Sequence, residues 1–199
     1  MVSFWFKWLV ANLGAAAIAN YVIEATAPLL EKVVLYSVAR TPTSEIFIFL
    51  YRAWTGGILG ALLVGSIIGT AQWFVLKTQI SLAKKFILTT SLGWVFAGFF
   101  VNFYCIGFLG GALVGFTQWL ILREKFFQPG WWIFANILGF GIADFLGRLT
   151  FSRVSLYTAT FDVIANPGLL IVVGVTFISS TVTGLALVWL LSYKKKSSS

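Results

Sequence analysis

The chain contains no histidine, and Cys105 is its single cysteine. Without histidine the commonest metal ligand, the commonest general base and any histidine axial ligand to a haem or chlorin are missing. A zinc hydrolase and a Ser/His protease are therefore excluded as readings. One cysteine cannot form an intrachain disulfide, and Cys105 reads as a small apolar filler at a turn. Charge is scarce as well. Only 10% of residues are charged, against 59% that are hydrophobic, and mean hydropathy is +0.94. A soluble domain carries about 25% charged residues. This chain cannot cover itself with polar surface, so it is expected to be integral to a membrane.

The charges that exist are sorted. Apolar runs long enough to cross a bilayer lie at 8–27, 54–76, 86–102, 105–122, 131–148 and 168–191. The charge-free stretch Phe86–Leu122 has 37 residues, too many for one span, and it divides at Asn102-Phe103-Tyr104-Cys105. With six spans, Lys7, Lys77, Lys84, Lys85, Arg123, Lys125, Lys194, Lys195 and Lys196 share one side with Glu124. The remaining cations and acids cancel on the other side, so the whole net charge of +8 lies on one face. The positive-inside rule then places both termini in the cytoplasm. Cations that cap helices fit anionic lipid headgroups and do not form a nucleic-acid surface. Ala25-Thr26-Ala27 resembles a signal-peptide cleavage site, but Trp8-Leu9-Val10-Ala11-Asn12 recurs as Trp132-Ile133-Phe134-Ala135-Asn136. The first segment therefore reads as a retained helix.

Internal repetition defines the architecture. Gly65-(x3)-Gly69-(x2)-Gln72-Trp73-(x2)-Leu76-Lys77 matches Gly111-(x3)-Gly115-(x2)-Gln118-Trp119-(x2)-Leu122-Arg123, 46 residues further on. A fixed period implies copies of one supersecondary unit. Here the unit is an ascending helix, beginning at Trp8, Phe86 or Trp132, and a descending one. The third descending helix is a poor copy, in which Gly184 and Trp189 approximate the pattern and Val188 replaces the glutamine. The expected fold is an all-α integral membrane bundle of six transmembrane helices, arranged as three parallel helical hairpins with pseudo-threefold symmetry. The hairpins cover 5–77, 84–123 and 130–193 within a single unit, 1–193, followed by a basic, serine-rich cytoplasmic tail, 194–199. The outer connections, 28–53 and 149–167, mix apolar and charged residues and are expected to form short interfacial helices.

Four groups of residues are candidate sites. Asn12, Gln72, Thr90, Gln118 and Asn136 each sit about five residues, ~7–8 Å, inside the same end of their helices. They form either a polar pocket open to the cytoplasmic leaflet or ordinary interhelical hydrogen bonds. Near the other end, Glu24, Asn102, Asp144 and Arg148 form an outer charged layer, a structural ion pair or an ion pathway. Trp8, Trp73, Trp119, Trp131 and Trp132 lie at one level, as an interfacial belt or a stacking wall for a planar ligand. Gly57, Gly65, Gly69, Gly107, Gly111, Gly115, Gly139 and Gly147 are packing positions, within the bundle or against another copy.

The Gly-(x3)-Gly-(x2)-Gln-Trp-(x2)-Leu-[Lys/Arg] repeat, followed by Leu92-Gly93-Trp94, resembles a broad group of bacterial multi-pass membrane proteins, often cyanobacterial. The resemblance covers about residues 54–141. It implies residence in a bacterial plasma membrane or thylakoid and brings no activity with it. The functional expectation is a non-enzymatic membrane component: an accessory or assembly subunit, or a binder of lipid or pigment. The alternative is a small-solute or ion carrier or channel with a polar pathway along the pseudo-threefold axis. No particular cofactor and no metal is implied. The expected partners are membrane lipids and, beyond them, other membrane subunits or a second copy of the chain; nucleic acid is not among them.

Overall fold

The computed structural model describes residues 2–38, 45–80, 83–99, 106–157 and 167–192. They form six helices and no strand: α1 (Val2–Val38), α2 (Glu45–Leu76), α3 (Ala83–Phe99), α4 (Ile106–Leu122), α5 (Gly130–Tyr157) and α6 (Pro167–Ser192). In lipid every backbone N–H and C=O must be satisfied within the segment, and a helix does this alone. Several serines and threonines inside the helices bond back to their own backbone. Ser66, Thr70 and Thr181 donate to the carbonyls of Leu62, Ser66 and Phe177, each at 2.7 Å. Their hydroxyls therefore present no unsatisfied group to an apolar surround.

Four helices are long and apolar enough to cross a membrane, over Val2–Thr26, Ile58–Leu76, Gly130–Leu149 and Val173–Ser192. The first of these ends two residues before Pro28, which lies inside α1. α3 and α4 have 17 residues each, or ~25 Å of helix, and Gly107–Leu122 is a shorter apolar helix. The outward surface is apolar over most of its extent. Val10, Ile18, Phe74, Leu88, Phe96, Phe116, Phe134, Leu138, Phe145 and Leu185 are all exposed, a surface matched to lipid tails and unsuited to water.

The helices stand in a closed ring. Each packs against its neighbours in sequence, and α1 packs against α6 to complete the circle; among the described residues no backbone contact crosses the middle. Neighbours run antiparallel: Gly69 faces Ile87 while Gly65 faces Ser91, and Gly115 faces Ile133 while Gly111 faces Asn136. The alternation brings Lys7, Lys77, Lys84, Lys85 and Arg123 to one end of the ring, the basic end.

Small residues set the closeness of the seams. A Cβ on Gly65 would come within 2.7 Å of the Ser91 Cα, and one on Gly93 within 2.8 Å of the Val114 Cα. Gly69, Gly107, Gly111, Gly115 and Gly139 lie equally close to the next helix. Gly147 is half-buried on α5, and the surroundings of Gly57 fall outside the described residues. The α1–α2 seam is different. Gly14 there has nothing within 4 Å of a Cβ position, and a groove lined by Val10, Gly14, Ile18, Ser66 and Thr70 runs along its outer side.

The outer connections differ from expectation. In place of separate interfacial helices, α1 runs on without a break to Val38, α2 already begins at Glu45, and α5 continues to Tyr157. A helix that is already nucleated adds each further residue cheaply, so the mixed segments extend existing helices.

Candidate functional site: an amide layer beneath a lumen

Five of the predicted inner polar residues are buried on the inside of the ring, and four of them join in one hydrogen-bonded chain. Asn12 donates from Nδ2 to its own helix, at the Trp8 carbonyl, 2.8 Å. Its Oδ1 accepts from Gln72 Nε2 at 2.9 Å. Gln72 Oε1 accepts from Thr90 Oγ1 at 3.3 Å and from Gln118 Nε2 at 3.1 Å. Gln118 also donates to Thr90 Oγ1 at 2.9 Å and accepts from Trp132 Nε1 at 2.9 Å. α6 joins separately, because Trp8 Nε1 donates to Thr183 Oγ1 at 3.3 Å. All six helices are thus tied at one depth by neutral groups. Among the described residues no buried side-chain nitrogen or oxygen lacks a partner. A fully satisfied polar network in a low-dielectric interior fixes one arrangement of its helices.

The basic-end side of this layer is sealed. Trp8, Phe86 and Trp132 occupy the same position on the three ascending helices, and all are at most 1% exposed. Trp132 meets Trp8 edge-on at 6.0 Å and Phe86 at 6.5 Å between ring centroids. Leu76, Leu122, Leu187 and Leu190 fill in around them. Ile80 and Phe126 complete the plug from below. Each follows its descending helix in the same turn, with Ile80 N bonded to Leu76 O and Phe126 N to Leu122 O, both at 2.9 Å. Sequence reasoning missed this plug. Its signal was the repeat itself, since Ile80 and Phe126 are also 46 residues apart.

Two expectations are corrected by this geometry. Trp8 and Trp132 do not belong to an interfacial belt; they close the axis. Trp131 is 57% exposed and Trp73 and Trp119 are half-buried. These three keep an outer position, with Lys77 over the Trp73 ring and Arg123 over the Trp119 ring, 5.3 and 5.2 Å from their centroids. The polar pocket also does not face the basic end. The cavity lies on the other side of the layer, above the plug.

That cavity has a volume of about 290 Å³ and is lined by residues from all six helices. Asn12, Gln72 and Asn136 stand at its floor, with Trp8 and Trp132 beneath, and its α1 wall runs up to Ile23, ~16 Å away along the helix. Gln118 is not in the lining; it is consumed by its three bonds. One wall, on α6, carries the hydroxyls of Thr176, Ser179, Ser180 and Thr183. The facing surfaces are apolar: Val64, Ile68, Trp94, Val114 and Phe140. Among the described residues no charged side chain lines the cavity. Its space arises from unequal side chains at matched positions. Trp94 and Phe140 meet at 5.7 Å and fill their thirds of the ring, whereas Ala16 occupies the corresponding place on α1.

Asn136 is the odd member. Its Nδ2 donates to the Trp132 carbonyl at 2.9 Å, as Asn12 does to Trp8. Its Oδ1 has no protein donor among the described residues, and since no fully sealed polar atom lacks a partner, this oxygen keeps its access through the cavity that Asn136 lines. The reason lies on α6. Gly139 packs on Ser179 and Val182 as Gly93 packs on Val114 and Thr117, and Trp8 Nε1 donates to Thr183 as Trp132 Nε1 donates to Gln118, so that Ile68, Gln72 and Leu76 on α2 correspond to Ser179, Thr183 and Leu187. The glutamine position is thus taken by Thr183, whose hydroxyl donates to the Ser179 carbonyl at 2.8 Å; Val188, the sequence-based counterpart, is half-buried, and Leu187 lies in the plug with Leu76 and Leu122. Hairpin three has the asparagine but lacks the amide that would bond it.

The outer charged residues do not converge on the lumen. Arg148 Nε pairs with Asp144 Oδ2 at 3.0 Å on the same face of α5, and Asn20 Nδ2 donates to Glu24 Oε1 at 3.0 Å along α1. Glu24, Asp144 and Arg148 are absent from the cavity lining, and Asn102 and Cys105 lie outside the described residues. Comparison with family models, with curated proteins and with solved structures gives no match.

Proposed function

We propose that the protein is a non-enzymatic integral membrane protein that holds one small, neutral, amphipathic molecule of lipid-like character in the lumen of its ring. In this reading all six helices cross the bilayer as three hairpins, with the basic end and both termini in the cytoplasm, as the charge asymmetry supports. The observation that carries the reading is the cavity itself: uncharged, apolar on most of its walls, polar at its floor and closed below by aromatic rings. Small-molecule sites have this composition, mostly apolar with a few placed polar groups, and about 290 Å³ lies at the lower edge of their ~300–1,000 Å³ range. A tetrapyrrole or an entire carotenoid exceeds it. The amides and hydroxyls of the layer offer no nucleophile paired with a base, which supports binding over catalysis. Such a ring suits an accessory subunit that stores or presents its ligand to a larger membrane assembly.

A second reading, a carrier for a small neutral solute, is favoured by one feature. The polar layer sits at a constriction whose two sides differ, a plug below and a cavity above. The two readings part in a single preparation. Protein purified in mild detergent, extracted with organic solvent and assayed by mass spectrometry is expected to yield a neutral amphiphile at near-stoichiometric amount. A bare, monodisperse monomer that instead moves a neutral solute into vesicles would overturn the binder and establish the carrier.

A further inference from the structure

The lumen reading leaves open what the ligand's polar end must be, and the inference here rests on that reading. Each amide oxygen of the layer accepts from protein, except one. Asn12 Oδ1 takes the Gln72 amide, Gln72 Oε1 takes Thr90 and Gln118, and Gln118 Oε1 takes Trp132. Asn136 is 2% exposed, its Nδ2 is held by the Trp132 carbonyl, and its Oδ1, without a donor among the described residues, keeps its access through the cavity. This bond fixes the amide's orientation, so the acceptor cannot rotate away from the lumen. The cavity above Asn136 is lined by the paired rings of Phe140 and Trp94 and, at the matched position on α1, by the small side chain of Ala16.

We propose that Asn136 is the headgroup anchor of this site and that it selects a ligand ending in a hydrogen-bond donor, a long-chain or isoprenoid alcohol. The alcohol O–H donates to Asn136 Oδ1, and its chain rises along the Ala16 side of the lumen. A ligand ending in an ether or a ketone leaves that oxygen buried and unsatisfied, which disfavours it. Thr183 is what makes the selectivity: its hydroxyl is committed to the Ser179 carbonyl and to Trp8 Nε1, whereas a glutamine there, as at Gln72 beside Asn12, would supply the donor from the protein.

The test uses a diazirine-bearing dodecanol and its methyl ether, photo-crosslinked to the full-length protein in lipid nanodiscs, with the labelled residues mapped by mass spectrometry. The alcohol is expected to label lumen residues at least about five-fold more than the ether. The preference should vanish in Thr183→Gln, which satisfies Asn136 internally, and in Asn136→Leu, which removes the acceptor. Ala16→Phe should abolish lumen labelling by both probes. Equal labelling by alcohol and ether in the wild type, or a preference that survives both Thr183→Gln and Asn136→Leu, overturns the anchor while leaving the lumen reading intact. If neither probe labels the lumen, or if Ala16→Phe changes nothing, the lumen reading itself falls and the anchor with it.

Discussion

The two sides of the amide layer share a backbone and differ in side-chain volume. Below it, the three matched positions on the ascending helices carry Trp8, Phe86 and Trp132, all large, and the ring is sealed. Above it, the corresponding positions carry Ala16, Trp94 and Phe140, and one small residue among two large ones leaves a cavity. A repeated helical ring therefore does not decide by itself whether it encloses anything. What decides is whether three side chains fill the axis together. Packed interiors are dense enough that one missing ring is felt as a void.

That comparison can be broken or sharpened by substitution. The largest effect is expected from Trp132→Ala, which removes the central ring of the plug and orphans Gln118 Oε1. By analogy with aromatic truncations in other cores, a loss of about 3–5 kcal/mol is expected, read from denaturant titration in detergent, together with new solvent access to the amide layer from the basic end. Gln118→Leu should cost less. It deletes three buried bonds at ~0.6 kcal/mol each in membrane interiors, so a loss of ~2 kcal/mol is expected by the same titration. Ala16→Phe tests the upper side. It fills existing space, so stability should change by less than ~1.5 kcal/mol while the co-purifying amphiphile disappears from mass spectra. The smallest effect belongs to Arg148→Ala. Its side chain is 51% exposed and pairs within one helix, a contact worth ~0.3–0.5 kcal/mol, and ligand content should not move.

Much of the architecture is legible in the sequence for a physical reason. Apolar runs ended by cations mark helices that stop at a headgroup layer, and the observed helices contain the expected runs almost throughout. Asn12, Gln72, Thr90, Gln118 and Asn136 could be put at one depth because 1.5 Å per residue converts spacing into height. Sequence spacing alone could not tell on which side of that depth the space lies. Trp8 and Trp132 suit an interfacial belt by residue type, yet their repeat partner is Phe86, which has no N–H to offer the headgroup region. That mismatch was the available sign that the position is interior. Thr183 escaped because the poor third copy aligns by residue type on Gly184 and Trp189, which puts Val188 at the glutamine position. Only the contacts show the register, since Gly184 meets Trp5 and Trp8, one turn nearer the basic end than the level at which Gly69 and Gly115 meet the next helix. The extensions of α1 and α5 were hidden by mixed composition, which carries no clean period of either kind.

The central claim is that the space above the amide layer is a ligand site. A structure determined in lipid nanodiscs at a resolution that separates side chains tests it most directly. The account predicts elongated, non-protein density rising from Asn136 along Ala16 in the wild type, and none in Ala16→Phe. A wild-type lumen that holds only ordered water, or that has closed by contact of α1 with Trp94 and Phe140, would contradict it.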